Sequence, residues 1–136
     1  ASTAIDGQTT VVKGAPRHFF NIIKQHGALL AKSRLAGVQF DALFTDGLYF
    51  CISRHAIDMA LRMRQLFLDS GFTVRPSSTK QQFVVLEKQQ MEQLKHAVDF
   101  ETWEPLDDSH VLCRFVTSWA TTEDDLSALA AALQSL

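Results

Sequence analysis

The segment from Val111 to Thr117 narrows the possible folds most, because it places an arginine inside an apolar β-strand that a helix follows at once. Side chains of a strand alternate between two faces, and neither face of this strand is plainly polar. Thr121 or Thr122 is suited to cap the next helix, and the acidic residues after them complement its positive end. The segment therefore fits a layered fold in which a helix covers a sheet.

Arg114 is the residue of this strand that points most directly to function. It lies among apolar neighbours, on the face that it shares with Leu112 and Val116. Arginines are rarely buried without a partner, since desolvating the guanidinium costs on the order of several kcal/mol. Its planar fork of donors matches a carboxylate bidentately. This pattern leaves two possible partners for the guanidinium, a ligand carboxylate or an acidic side chain of the chain itself in a structural ion pair. The pattern alone favours the ion pair.

The rest of the sequence predicts an α+β domain, in which long helices precede a small, mostly antiparallel sheet that helices cover on one face. Apolar residues recur at helical intervals in the first half, where Gly37 is suited to end a helix. Short runs rich in β-branched and aromatic residues dominate the second half. Helices are expected over 16–36, 40–44, 48–70, 89–98 and after Thr122, and strands over 9–13, 72–75, 82–87, 101–104 and 111–117.

Composition excludes several classes of function. The chain has 136 residues, 46% of them apolar, which suits one domain with a real core. Its 13 basic and 15 acidic residues give a formal charge of -2 without a basic block, so we expect no nucleic-acid partner. No apolar run approaches the roughly 20 residues of a membrane span, so we expect no membrane partner and a cytoplasmic location. Cys51 and Cys113 lack metal-ligand spacing, and no metal site is expected.

The other candidates for chemistry are weaker. Cys51 and His55 lie four residues apart on a predicted helix, which would allow a thiolate–imidazole pair or half of a metal site. Neither arrangement works without a third group, and the sequence offers none. Arg54, Asp58 and Arg62 also step by four along this helix and predict a solvated ladder of ion pairs.

Five motifs follow one another along the chain: IKQHGALLAKSRLAGVQF over 23–40, LFTDGLYF over 43–50, RHA over 54–56, TKQQFVVL over 79–86 and RFVTSWATTEDD over 114–125. They resemble, in the same order, KQRGALLAKGRLLGIQF, LFTDGLYF, RHA, TNQQFVVL and RFVTSWATTEED of the threonine aldolase-like proteins. These are pyridoxal phosphate (PLP)-dependent enzymes of fold type I, in the β-eliminating lyase family. The likeness runs from about Val11 to Leu133.

The resemblance implies that the chain is the C-terminal part of such an enzyme. A loop and strand of the large domain would occupy residues 1–13, and the small domain with its leading helices would occupy residues 14–136. In the family the large domain carries the lysine that binds the cofactor, while the C-terminal domain supplies an arginine for the substrate α-carboxylate. Arg114 matches that arginine, so the resemblance favours a substrate carboxylate over an ion pair. Arg34 keeps its family position and is a candidate for cofactor or site support.

The resemblance also implies a parent enzyme that acts on a β-hydroxy amino acid, by aldol cleavage or β-elimination, as a homodimer or tetramer. No catalytic residue is expected in this chain, because no lysine before Thr9 matches the family's cofactor lysine. The chain alone is therefore expected to be inactive and not to hold PLP stably. His26, Ser33 and Lys80 replace an arginine, a glycine and an asparagine of the family motifs. The alternative is a non-catalytic module that binds a carboxylate or an amino acid through Arg114.

Overall fold

The computed structural model describes residues 13–27 and 34–136 of the chain. The chain consists of two compact units, Ala1–Tyr49 and Phe50–Leu136. The strand predicted over 9–13 lies outside the described residues except for Lys13, which is in a bend. The domain boundary expected after residue 13 stays a prediction.

In residues 13–27 and 34–49, the first unit has two helices, α1 (Phe19–Gln25) and α2 (Arg34–Phe44), and the 3₁₀ turn Thr45–Gly47. The single helix predicted over 16–36 is therefore wrong, and Gly37 lies inside α2 instead of ending a helix. The helix breaks earlier because Gly27 adopts a φ of 68°, which glycine reaches without strain. The segment predicted over 40–44 is the second half of α2. None of the side chains whose burial is described in this unit is buried.

The second unit holds the sheet. Its strands pair in the order β1-β2-β4-β3, and every neighbouring pair is antiparallel. The predicted fold class is confirmed, and the strands begin and end within two residues of their predicted bounds. The helix predicted over 89–98 is shorter than expected. The elements are α3 (Leu48–Asp69), β1 (Thr73–Arg75), β2 (Gln81–Glu87), α4 (Lys88–Leu94), β3 (Glu101–Pro105), β4 (His110–Val116) and α5 (Glu123–Leu133).

The core lies between one face of the sheet and helices α3, α4 and α5. Phe115 of β4 packs against Phe67 of α3 and against Phe100, with ring centroids 4.7 Å and 4.6 Å apart. Burying a large apolar side chain of this kind contributes about 1.5–3 kcal/mol. The members of this core are Met59, Met63, Phe67, Val84, Leu86, Met91, Leu94, Val111, Cys113, Phe115, Leu126, Leu129 and Leu133.

Helix α5 begins where its sequence predicts. Thr122 is the capping residue, and its hydroxyl accepts a hydrogen bond from the backbone N–H of Asp125. The Asp125 carboxylate accepts in return from the backbone N–H and the hydroxyl of Thr122. Thr121 does not cap the helix, because its hydroxyl accepts a hydrogen bond from the backbone N–H of Ser118. Of the two predicted caps, Thr122 is therefore the one that is used.

The turn between β3 and β4 is organised around the carboxylate of Asp107. One of its oxygens accepts from the backbone N–H of Ser109 at 2.7 Å, from the Ser109 hydroxyl at 2.9 Å and from the backbone N–H of His110 at 2.7 Å. The Ser109 backbone bond is the largest of the effects that hold the pKa of Asp107 well below its usual value. The ionised carboxylate therefore stabilises the hairpin that leads into β4.

This carboxylate predicts an acid-sensitive hairpin. A lowered pKa in the folded state stabilises the fold fully above the unfolded pKa of about 3.9, and the stabilisation is lost as the pH falls below it. The Asp107→Asn variant lacks this titration. We expect its free energy of unfolding, measured with urea from pH 5 to pH 2, to fall less steeply than that of the unmodified chain. Asp108→Asn, which removes a neighbouring carboxylate outside this bond network, is the control, and equal slopes for both variants would contradict the assignment.

Candidate functional site

The face of the sheet opposite the core carries Arg114. Residues paired across antiparallel strands point to the same face, and Arg114 is paired with Phe83 of β2 and with Glu101 of β3. Phe83 is in turn paired with Arg75 of β1, so all four strands contribute to one surface. We call this surface the arginine face, and its defining residues are Arg75, Phe83, Glu101, Trp103, Glu104 and Arg114.

Arg114 is held from two directions on this face. Its Nη2 donates to Oε2 of Glu101 in an ion pair, and its Cζ lies 4.7 Å from the centre of the Trp103 ring. That distance is within range of a cation–π contact. The Nε of Arg114 is buried and has no hydrogen-bond partner in the described part of the chain. The guanidinium is therefore positioned, yet one of its donors is left unsatisfied.

A bulge in β3 allows Trp103 and Glu104 to lie on this face together. The register of β3 against β4 shifts between Thr102 and Glu104, so Trp103 is the extra residue of the strand. Its ring meets Phe83 edge to face, with centroids 5.4 Å apart and planes 72° apart. The Trp103 side chain is thus fixed by an aromatic neighbour on one side and by the Arg114 guanidinium on another.

A second ion pair crosses the same face. Nη1 of Arg75 lies 2.9 Å from Oε1 of Glu104, and both side chains are about half exposed. Because these residues belong to the two edge strands, the pair reaches across β2 and β4. Leu112, on the same face of β4, is almost completely buried. The Arg75–Glu104 ion pair itself is exposed, and such a pair contributes about 0–1 kcal/mol, so it is a minor source of stability.

The loop after β4 is tied to α3 by two side chains. The buried hydroxyl of Thr117 donates to the backbone carbonyl of Ala56 at 2.6 Å. His55 bonds through Nε2 to the backbone carbonyl of Thr121 at 2.8 Å. Since a carbonyl only accepts, His55 must carry its hydrogen on Nε2. The end of the strand that bears Arg114 is therefore anchored to the longest helix.

The other candidate groups of the sequence, the Cys51–His55 pair and the ladder of ion pairs along α3, do not form sites in the described residues. Cys51 is exposed, and His55 makes its described bond with the backbone of Thr121. In the described residues, no group of three or more His, Cys, Asp or Glu side chains is placed to hold a metal ion. Arg62 forms its ion pair with Glu123 of α5, not along α3. The helices within the described residues are all too short or too polar to cross a bilayer.

Arg34 belongs to the first unit, where it is the exposed first residue of α2. Its support of a cofactor or site stays a prediction.

Glu101 and Trp103 were missed by sequence reasoning. Their spacing of two in a predicted strand indicated that they share a face. What the spacing could not indicate was the partner strand, its register or the bulge.

The fold and this surface define an α+β domain with helices on one face of its sheet and an arginine-bearing surface on the other. No protein-family model matches the chain, and no curated protein matches it significantly. Among the solved structures, a threonine aldolase from Leishmania major matches with a TM-score of 0.81 and 34% sequence identity.

That match covers 88% of this chain and 35% of the Leishmania chain, so the present chain spans about a third of its length. The chain therefore has a threonine aldolase-like fold. Its four-stranded sheet and helices match the C-terminal domain of a threonine aldolase. The family resemblance predicted from the ordered motifs is confirmed in this respect.

The anchoring of the loop after β4 is open to a direct test. Replacing His55 by Ala removes one hydrogen bond, so we expect the backbone amides of Ser118 and Thr121 to exchange hydrogen about two- to tenfold faster. Hydrogen–deuterium exchange followed by NMR measures this. His96→Ala is the control, because it removes an exposed histidine just after α4. If exchange in the loop is unchanged, or rises equally in the control, His55 does not anchor it.

Proposed function

We propose that this chain is the carboxylate-binding domain of a PLP-dependent lyase or aldolase that acts on a β-hydroxy amino acid. Arg114 would hold the α-carboxylate of the substrate. The single observation that carries the proposal is the state of this guanidinium, which already binds the exposed carboxylate of Glu101 through Nη2 and is itself partly exposed. The threonine aldolase-like fold supports the substrate class.

The chemistry of Arg114 suits this role. A carboxylate can take two parallel N–H donors from a guanidinium, which fixes its orientation as well as its position. Because Arg114 lies on a strand in the middle of the sheet, its backbone is held on both sides. The Trp103 ring, which lies 4.7 Å from Cζ, further restricts the position of the guanidinium. A substrate held in this way would present its α-carbon in one defined direction.

The described residues do not fit the cofactor itself. PLP needs a lysine in a cavity, whereas the described lysines are exposed or, at Lys80, partly exposed. The groove described between α3 and α5 is lined by Arg62, Gln65, Leu66, Glu123, Leu126, Ser127 and Ala130, without a lysine. We therefore assign PLP to the large domain of the same polypeptide, where it would supply an electron sink for bond cleavage. Arg34 is proposed as support for that cofactor or for the site.

The first unit exposes large apolar side chains that a partner surface could cover. Phe20 and Val38 are 60% and 59% exposed, although both are large and apolar. Helix α2 has 11 residues, a length at which an isolated helix is marginal in water. We propose that the large domain and a second subunit cover such surfaces, in a cytoplasmic homodimer or tetramer.

A non-catalytic module that binds a carboxylate or an amino acid is the second candidate. What favours it is that the described part of the chain has a carboxylate-binding arginine but no buried lysine. The two candidates share Arg114 and differ in whether a cofactor-bearing domain works with it.

The role of Arg114 predicts a specific loss. In the full-length polypeptide loaded with PLP, Arg114→Gln should raise the KM for threonine about ten- to hundredfold, the usual loss for a hydrogen bond to a charged group. Steady-state cleavage kinetics measure this. Arg75→Gln removes the other arginine of the arginine face and should change KM much less. Equal effects of the two substitutions would contradict the assignment of the carboxylate to Arg114.

The location of the cofactor lysine is tested with the isolated chain. Mixed with PLP, the chain should develop no visible absorbance band of a lysine-bound cofactor, while the full-length polypeptide should show one. Borohydride reduction followed by peptide mass spectrometry identifies any lysine that reacts. Stoichiometric labelling of one lysine in the isolated chain would contradict the proposal that the cofactor lysine lies in the large domain.

A further inference from the structure

Both groups that hold the Arg114 guanidinium come from one edge strand. Glu101 and Trp103 belong to β3, which among the described strands pairs only with β4 and whose residues are all exposed. The Trp103 ring lies beneath Cζ of the guanidinium, and the Glu101 carboxylate accepts from its Nη2. The strand therefore supplies both a platform and a carboxylate to the arginine that is proposed to bind a ligand carboxylate.

The two partners of this ion pair differ sharply in exposure. The Arg114 side chain is 21% exposed, while that of Glu101 is 64% exposed. The arginine is therefore packed in place, whereas the glutamate extends into water, where its carboxylate is well solvated without the arginine. Exposed ion pairs shift equilibria by only about two- to fivefold, so Glu101 can leave with little loss.

We propose that Glu101 is a placeholder for the ligand, a carboxylate that holds the Arg114 guanidinium on Trp103 and is displaced when a ligand carboxylate binds. The proposal rests on the proposed function of Arg114. Glu101 is thus a positioning residue that sets the affinity of the site for carboxylates. No covalent bond is made or broken in this exchange.

The hydrogen-bond pattern explains why a ligand can displace Glu101. As placed, Glu101 accepts from Nη2, and Nε of Arg114 remains unpartnered. A ligand that is free to approach in the plane of the guanidinium can accept from Nη1 and Nη2 together, and so gains a bond that Glu101 does not make, although the buried Nε stays out of its reach. Both carboxylates cannot remain on one guanidinium without repulsion between two negative charges.

The same strand offers a matched comparison. Glu104 also lies on β3, is also about half exposed and also pairs with an arginine of the arginine face, Arg75. Glu104→Gln removes the same charge from the same strand, three residues away from Glu101. Any effect of general charge or of strand stability should therefore appear in both variants, and displacement should appear only in the variant at Glu101.

The experiment titrates the full-length polypeptide, loaded with PLP, with glycine and with glycinamide, which lacks the carboxylate. Binding is followed by the visible absorbance of the cofactor. Fluorescence of Trp103, in a Trp119→Phe background that leaves one tryptophan in this chain, reports the change around the guanidinium when Glu101 leaves it. Glu101→Gln should lower the dissociation constant of glycine about two- to fivefold. It should leave that of glycinamide unchanged, and Glu104→Gln should alter neither.

Several results would overturn the proposal. These are weaker or unchanged binding of glycine by Glu101→Gln, an equal gain for glycinamide, or the same gain in Glu104→Gln. Glu101→Ser, a smaller substitution at the same exposed position, must change glycine binding in the same direction as Glu101→Gln. Disagreement between the two variants would also count against displacement.

The failure of this proposal and the failure of the proposed function give different results. If Arg114→Gln leaves glycine binding unchanged, Arg114 does not bind the carboxylate, and both proposals fail. If Arg114→Gln weakens glycine binding while Glu101→Gln behaves like Glu104→Gln, the proposed function stands and only the placeholder role of Glu101 fails.

Discussion

The antiparallel pairing of β2 with β4 is the interaction on which the rest of the structure depends. It runs through seven consecutive residue pairs in the middle of the sheet. Since side chains alternate between faces, this register sends Cys113 and Phe115 into the core and Arg114 to the opposite face. A slip of one residue would exchange the two sets and place the guanidinium beneath the helices. One ladder of backbone hydrogen bonds therefore specifies both the core and the candidate site.

Two successive residues of β4 show how different the two faces are. Burial raises the pKa of the Cys113 thiol, which favours its protonated, unreactive form. Arg114, the next residue, meets a solvated carboxylate and an aromatic ring. An exposed ion pair contributes at most about 1 kcal/mol, whereas a buried donor without a partner costs about 1–3 kcal/mol. The cluster around Arg114 is thus a poor source of stability, which agrees with its proposed role in binding a carboxylate.

Recognition by a guanidinium also needs a rigid support, because a productive site tolerates displacements of only about 0.5 Å. The structure provides that support at both ends of β4. Asp107 organises the turn before the strand, while Thr117 and His55 anchor the loop after it to α3. The strand that carries Arg114 is therefore held along its length by the sheet and at its ends by side-chain hydrogen bonds. This rigid support agrees with the proposed role of Arg114 in holding a ligand carboxylate.

Local signals in the sequence were sufficient for the order of elements in the second unit, for the Thr122 cap and, through the ordered motifs, for the threonine aldolase-like fold. They failed between α1 and α2, because apolar spacing continues through a break that depends on the backbone at Gly27. Arg114 could be singled out by its chemistry, since a charged side chain among apolar neighbours is visible in the sequence. Its contacts with Glu101 and Trp103 could not, because they depend on which strands pair, in which register and with which bulge. Those choices follow from competition between long-range pairings, and only the packed chain decides among them.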